Sequence, residues 1–385
     1  MSLASTASSP IGKFLPERIL LTTPLSEPLA QPLHDHFDQA EVRFVPNAEL
    51  TPEDFQWADT WVGFDLPTWL PTGEVAVKWF HSQSDGVDKS APVLARLEGD
   101  FLLTHTIGDM PRRIGEFVLA YHLWLTRGGD LFRANEPTGT WDTDFFDNYV
   151  DPRKARVVVI GTGQVGRGVA RILSDYGISC EGINTSGRAV SEFAACHSMA
   201  DASASLAQAD LVVSALPLTP ATDRMVSTQI VSQLQGAVFM NVGRGPTVDA
   251  QAIRAGLEGG NLKKAVLDVH EVEPLPHSDW RWTDPRVFVT PHISGPVTQK
   301  DVYDPACGWI LNAATEFANY PHQLSRLGLL QAGSKCFLAV TIAYRNRNLG
   351  DDPARIYTGI YVENRSAGDF YPVVQSVAHS VHAGE

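Results

Sequence analysis

Apolar residues arrive along this chain in two rhythms. In the first 100 residues, short apolar runs stand between proline-rich turns, at residues 18–22, 42–45, 61–64 and 77–80. Runs of this length predict strands, and their alternation with longer segments predicts a small α/β lobe. Over residues 111–127 the rhythm changes. Ile114, Val118, Tyr121, His122 and Leu125 recur at spacings of three and four, the stripe of a helix, and Gly128-Gly129 stops it. A loop with Trp141 then leads to residues 156–160, whose Val and Ile run suits a strand buried on both faces. A helix over 165–172 follows, then strands near 178–183, 211–216, 237–242, 265–269 and 287–290. Repeated strand and helix in this order predict a doubly wound parallel sheet. Beyond Gly295, a helix over about 304–319 is expected to cross back to the first lobe. The tail 334–385 has no assignable period.

Length and composition narrow this picture. A chain of 385 residues exceeds one usual core, so two lobes are expected. Hydrophobic residues make up 44% and charged residues 19%, enough to build sizeable cores and to exclude wholesale disorder. Lys plus Arg number 30 against 44 Asp plus Glu, a net charge of −14. That argues against nucleic acid and anionic lipid as partners, since both reward clustered cations. It leaves room for a small anion held by one or two placed arginines. The four cysteines form no CxxC pair and have no zinc-type spacing with histidine. Neither a disulfide framework nor a metal site is expected, and a reducing, cytoplasmic setting fits. No apolar run reaches membrane-spanning length, since Gln331 and Lys335 interrupt the most apolar late tract. The Ser- and Ala-rich first ten residues carry no Lys or Arg and no long apolar region follows, which disfavours secretion.

The densest signal is Gly161-Thr162-Gly163-Gln164-Val165-Gly166, directly after the strand at 156–160. Gly161 permits the tight turn, Gly163 lets backbone approach a pyrophosphate, and Gly166 lets helix and strand pack closely. The phosphate charge then meets free N–H groups at the helix start. About twenty residues on, where a carboxylate would bind the ribose 2′-hydroxyl of NAD, stands Asn184-Thr185-Ser186-Gly187-Arg188. Hydroxyls and a guanidinium accept a 2′-phosphate, so NADP(H) is favoured over NAD(H), through Asn184, Ser186 and Arg188.

Three further segments put chemistry at strand ends, where an open parallel sheet binds its ligands. Asn241-Val242-Gly243-Arg244-Gly245 offers an arginine able to bind a carboxylate bidentately, with flanking glycines that let it point into a crevice. Asp268-Val269-His270-Glu271-Val272-Glu273-Pro274-Leu275-Pro276 offers carboxylates. Thr290-Pro291-His292-Ile293-Ser294-Gly295 offers an acid/base histidine. Singly, each residue has a bland alternative as a surface ion pair or a structural histidine. Together, in sheet order after a dinucleotide loop, they make a functional site the stronger reading.

These segments resemble the D-isomer-specific 2-hydroxyacid dehydrogenase family over about residues 60–320, with the flavour of its glyoxylate/hydroxypyruvate reductase branch. Leu216-Pro217-Leu218-Thr219-Pro220-Ala221-Thr222, Val248-Asp249, Ser84-Asp85-Gly86-Val87-Asp88 and Glu116-Phe117-Val118-Leu119 add to the likeness. The resemblance implies two lobes: a Rossmann-type domain over 111–295, inserted in a smaller flavodoxin-like substrate domain over 1–110 and 296–330. Residues 331–385 remain a C-terminal extension. It further implies that Arg244 binds the substrate carboxylate, with backbone around Asp85 and Gly86. His292 would exchange a proton with the keto oxygen, and Glu273 would hydrogen-bond His292 and keep it protonated towards neutral pH. Gln164 and Val165 would lie at the pyrophosphate, Leu216, Pro217 and Thr222 on the adenosine side, and Val242 and Asp268 along the cofactor, Asp268 near the nicotinamide. The substrate would be a small 2-keto or 2-hydroxy acid, and the assembly a homodimer through the helix at 111–127 and the Trp141 loop.

Some positions depart from the family pattern. Asn184 replaces the usual acid, His105 stands where Asn is common, Asp109-Met110 replaces an apolar-His pair, and His270 replaces an aromatic residue as a packing substitution. Three other readings compete. Formate dehydrogenase shares the architecture but places Gln at the position of Glu273. A dinucleotide-sensing corepressor would keep fold and trio yet bind protein partners. An inactive cofactor-binding protein is opposed by the intact Arg244, Glu273 and His292.

Overall fold

The computed structural model describes residues 16–22, 38–70, 73–83, 89–94, 96–98, 102–106, 109–143, 145 and 149–296, and three strands within 336–372. The expected helix at 304–319 and the Asp85-Gly86 loop lie outside the described residues. The chain divides into two compact units, Met1–Asp109 with Val297–Glu385, and Met110–Pro296.

The first unit opens with strands β1 (Arg18–Leu21) and β2 (Glu41–Phe44), helix α1 (Pro52–Trp57), and strands β3 (Thr60–Gly63), β4 (Trp79–Ser82) and β5 (Leu102–Thr106). Helix α1 begins at a reciprocal cap in which Asp54 Oδ2 accepts the Thr51 N–H at 2.8 Å. The five strands lie parallel in the order β2-β1-β3-β4-β5, the flavodoxin-like order the resemblance implies. β3 and β4 are buried along their whole length, the polar Thr60, His81 and Ser82 included. Leu20, Phe55, Trp61, Leu70 and Phe80 fill the core on one side.

The second unit begins with helix α2 (Met110–Thr126). Of its predicted stripe, Ile114, Val118, His122 and Leu125 are buried, and Tyr121 is half-buried. Strand β6 (Val157–Ile160) leads into helix α3 (Gln164–Asp175). Then come β7 (Cys180–Ile183), β8 (Ala195–His197), β9 (Leu211–Ser214), β10 (Ala237–Asn241), helix α4 (Ala250–Gly259), β11 (Leu262–Leu267) and β12 (Val287–Val289). The seven strands are parallel in the order β8-β7-β6-β9-β10-β11-β12. The order reverses between β6 and β9, the switch point where doubly wound sheets bind dinucleotides. Alternate residues of each strand feed opposite cores. Val158, Ile160, Val212 and Phe239 face Leu206, Ile253 and Leu257, whereas Val157, Val159, Val213 and Met240 face Ile114, Val118, Val169 and Leu173. That double burial explains the Val-Val-Val-Ile text of β6. Helices α2 and α3 meet where neither has a side chain. A Cβ on Gly168 would stand 2.3 Å from the Pro111 carbonyl oxygen, and one on Gly115 would stand 2.8 Å from that of Gly168. The predicted doubly wound sheet is therefore present, with β8 as an edge strand that the apolar pattern did not predict.

The tail returns to the first unit's sheet. Strand β13 (Cys336–Ala343) pairs parallel with β5, and β14 (Tyr357–Asn364) and β15 (Asp369–Pro372) follow antiparallel. The first sheet thus reaches eight strands.

Candidate active site

The turn after β6 shows what each glycine is for. Gly161 has φ +101°, and a Cβ there would stand 2.7 Å from the Ala215 carbonyl oxygen. A Cβ on Gly166 would stand 1.9 Å from the Gly161 carbonyl oxygen. Both glycines are demanded by the protein's own backbone. Gly163 differs: it caps α3, and a Cβ there would meet nothing within 4 Å. The open space lies in front of a helix start whose first N–H groups have no partner within the helix. A pyrophosphate fits that space and that charge. Gln164 and Val165 open α3, and Val165 packs partly into the core beside α2, which leaves its backbone N–H as its contribution.

At the end of β7, Asn184 serves the loop itself. Its amide nitrogen donates to Thr162 Oγ1 at 3.2 Å and to the Arg188 carbonyl at 2.9 Å, while its Oδ1 accepts the Ser186 N–H at 3.2 Å. It ties this turn to the glycine loop and leaves Ser186 and Arg188 exposed beside it. Thr222 is likewise committed to its turn, donating to the Pro217 carbonyl at 2.6 Å and accepting the Thr219 N–H at 2.8 Å. Leu216 and Val242 are buried at neighbouring strand ends, Val242 donating its N–H to the Ser214 carbonyl at 3.0 Å.

Arg244 follows β10. Its carbonyl is pinned by Asn241 Nδ2 at 3.3 Å and Thr247 Oγ1 at 2.6 Å, and its guanidinium donates to the Gly243 carbonyl at 3.1 Å. The flanking glycines pack strand-end loops together. A Cβ on Gly243 would stand 2.5 Å from the Leu216 carbonyl oxygen, and one on Gly245 would stand 2.0 Å from that of His270. Arg244 is thereby seated against the loop that carries Glu273.

That loop and the next meet in one hydrogen-bonded unit. His292 Nδ1 lies 2.9 Å from Glu273 Oε2, and Glu273 Oε1 accepts the His270 N–H at 3.0 Å. Burial alone would raise the Glu273 carboxyl. The hydrogen bonds from His292 and the His270 backbone outweigh it and hold the carboxyl below its ordinary value. His292 sits at φ +55°, a conformation that costs a non-glycine residue energy. Asp268 holds it there. The Asp268 carbonyl accepts the His292 N–H at 2.8 Å. Its fully buried carboxylate accepts Thr290 Oγ1 at 2.6 Å and the Ile293 and Ser294 N–H groups at 2.8 Å each. The expected nicotinamide contact is thus also the anchor of the histidine loop. His270 is 5% exposed, and its Nε2 donates to the Thr290 carbonyl at 3.2 Å. His270 is buried, as a packing substitution would be, and it also cross-links the two loops. Among the described residues, no group of His, Cys, Asp and Glu side chains could hold a metal ion.

One contributor escaped the sequence reading. Arg281, whose side chain is 8% exposed, bridges Glu271 and Asp279 beneath the Glu273 loop. Its only local signal is Asp279 two positions earlier.

Residues 119–294 match the profile of the D-isomer specific 2-hydroxyacid dehydrogenase, NAD binding domain. An uncharacterized protein in the mprR 3′ region of Streptomyces coelicolor is 35% identical over 237 residues, 60% of this chain and 81% of that protein. The chain belongs to the D-isomer specific 2-hydroxyacid dehydrogenase family. It is an NAD(P)-dependent oxidoreductase by that membership. Glyoxylate/hydroxypyruvate reductase B of Yersinia pestis (strain Pestoides F) is 31% identical over 211 residues, 53% of this dehydrogenase and 64% of that protein. A solved D-isomer specific 2-hydroxyacid dehydrogenase from Xanthobacter autotrophicus Py2, in complex with NADPH and MES, superposes with TM-score 0.65 at 25% identity. It covers 80% of this dehydrogenase and 96% of that chain.

Proposed function

We propose that this dehydrogenase reduces a small 2-keto acid to the D-2-hydroxy acid, with NADPH favoured over NADH. The observation that carries the reading is the 2.9 Å contact between Glu273 Oε2 and His292 Nδ1, on a loop anchored by Asp268. With Nδ1 committed to the carboxylate, Nε2 is the nitrogen left to exchange a proton with substrate. When bound, the dinucleotide would supply the hydride for the carbonyl carbon. As that carbon is reduced, negative charge gathers on the keto oxygen. His292 Nε2 gives its proton to that oxygen, which becomes the hydroxyl, and the Glu273 carboxylate steadies the imidazolium beforehand. Arg244 binds the substrate carboxylate and polarises the oxygen. In the cofactor's seat, Gly161, Gly163, Gln164, Val165 and Gly166 take the pyrophosphate. Leu216, Pro217, Thr222, Val242 and Asp268 shape its walls.

The preference for NADPH rests on the turn that Asn184 builds, which presents Ser186 and Arg188 and no carboxylate. The Xanthobacter structure in complex with NADPH supports it. Glyoxylate and hydroxypyruvate are the first substrates to try, given the name of the Yersinia relative. The relatives reported above give the corepressor alternative no support. The proposed setting is cytoplasmic and the proposed partner a second copy of the chain. Among the described residues, no helix is long and apolar enough to cross a membrane.

The test follows loss of NADPH and NADH absorbance separately with a panel of 2-keto acids. Wild type is expected to turn over and to prefer NADPH. His292→Ala is expected to lose on the order of 10²–10⁴-fold in kcat, the usual worth of a placed acid. Turnover that survives in His292→Ala removes the acid–base assignment, and dinucleotide binding without any turnover removes the reductase reading.

A further inference from the structure

The text Asp-x-Arg occurs three times with one geometry. In Asp151 with Arg153, Asp279 with Arg281, and Asp284 with Arg286, aspartate Oδ1 accepts the arginine's backbone N–H. The same carboxylate also takes Nε and Nη2 of that arginine's guanidinium. Arg153 and Arg286 do this at the surface, with side chains 62% and 41% exposed. Arg281 is buried at 8%, and its remaining Nη1 donates to Glu271 Oε2 at 2.8 Å. The turn itself therefore does not require a buried cation. Something about this location does.

The location is the underside of the acid–base pair. Glu271 lies between His270, whose N–H holds Glu273 Oε1, and Glu273 itself. The turn is tied at two other points by neutral bonds: His270 Nε2 to the Thr290 carbonyl, and Trp282 Nε1 to the Pro276 carbonyl at 3.0 Å. Arg281 adds a charged tie at Glu271, on the far side of the turn's sequence from the Glu273–His292 pair. Its planar fork satisfies Asp279 and Glu271 together, which a point charge on a flexible stem does poorly. A buried guanidinium is tolerated only when so paired, and loss of one partner leaves the others displaced.

We propose that Arg281 is a positioning residue for the reaction: acting through Glu271, it fixes the His270-Glu271-Val272-Glu273 turn and so the seat of the Glu273 carboxylate against His292. This rests on the function proposed above. Arg281 touches neither substrate nor cofactor in this role. The charged and titratable groups that act on it are Glu271, Asp279 and His270, and His270 in turn faces Glu273.

The test uses the intact chain as wild type, Arg281→Met, Arg281→Lys, Glu271→Gln and the double variant Arg281→Met with Glu271→Gln. Keto-acid reduction is followed as kcat and as KM for the dinucleotide, beside thermal melting. For Arg281→Met, kcat is expected to fall by roughly 10- to 100-fold, the cost of about 1 Å of misplacement, with KM for the dinucleotide held. Lys restores part of the rate. The double variant falls no further than Arg281→Met, since both changes remove one interaction. A wild-type kcat in Arg281→Met, or a kcat loss matched by an equal rise in KM for the dinucleotide, overturns the proposal whatever the melting temperature, and so do losses that multiply in the double variant. Should Arg281→Met fail to fold, Glu271→Gln keeps the guanidinium packed against Asp279 and decides by the same two readouts. Wild type that turns over no keto acid defeats the proposed function instead. Nuclear magnetic resonance of the His292 imidazole, which needs no turnover, then shows whether Arg281→Met breaks the Glu273 contact, and an unbroken contact overturns the positioning role.

Discussion

His292 occupies a backbone conformation that it would not choose alone, and the surrounding bonds over-determine it. Its φ of +55° is held by three N–H groups on Asp268, from His292, Ile293 and Ser294. Glu273 then faces the imidazole from a turn of its own. Because the folded protein holds the Glu273 carboxyl below its ordinary value, its ionised form contributes stability that is present above the unfolded value. That contribution is lost as pH falls through the lower folded value. Wild type should therefore exceed Glu273→Gln in melting temperature by more at about pH 6 than at about pH 3, across the carboxylate range. A difference that stays constant or grows on acidification contradicts the hydrogen-bonded carboxylate. Arg244, Glu273 and His292 were legible as candidates in the sequence because each stands beside a glycine or proline in a loop that follows a strand. Arg281 was not, because its decisive partner Glu271 lies ten positions away and only folding brings the two side chains together. Asn184 and Thr222 were legible as positions but not as roles, since a short polar side chain serves its own turn as readily as a ligand.

Among elements, the glycine loop separates two demands that the sequence merges. Gly166 is required by the backbone that crosses it, whereas Gly163 borders open space. Gly163→Ala should therefore fold with near wild-type melting temperature and lose dinucleotide affinity. Gly166→Ala, with its Cβ 1.9 Å from the Gly161 carbonyl oxygen, should lose about 1–3 kcal/mol of stability, the range for an overpacked site. Equal dinucleotide binding by Gly163→Ala and wild type, measured by fluorescence titration, would place the pyrophosphate elsewhere. The strands of the second sheet were legible because burial on both faces makes them continuous apolar runs, as in β6 and β9. Two failures have the same physical root. β8 is a three-residue edge strand, Ala-Cys-His, all of it half-buried, so no periodicity marks it. β11 begins earlier than expected because Lys263 and Lys264 interrupt its apolar text while its backbone already pairs with β10.

At the scale of the whole molecule, the tail shows how little local text says about long-range pairing. Residues 327–344 form an apolar tract, yet nothing near them names β5, more than two hundred positions earlier, as the partner of β13. The homodimer expectation belongs to this scale too, and the second unit gives it a surface. Trp141 is 94% exposed, and Trp124, Phe132 and Tyr149 are each more than a third exposed, all within α2 or the residues after it. Their inner partners are aromatic as well: Trp124 meets Phe288 edge-on at 5.2 Å, and Phe132 and Tyr149 both meet Phe145. Aromatic surface of this extent, with a rigid aromatic layer behind it, loses free energy to water unless another surface covers it. A net charge of −14 opposes casual association, so a dimer formed through this face should depend on the aromatic contact and not on bulk attraction. Light scattering is expected to give twice the chain mass for wild type. Trp141→Asp should shift the equilibrium towards monomer while the melting profile of the second unit stays intact, since Trp141 contributes almost nothing to its core. A monomeric mass for wild type at every concentration removes the dimer. A dimer indifferent to Trp141→Asp moves its contact to another face.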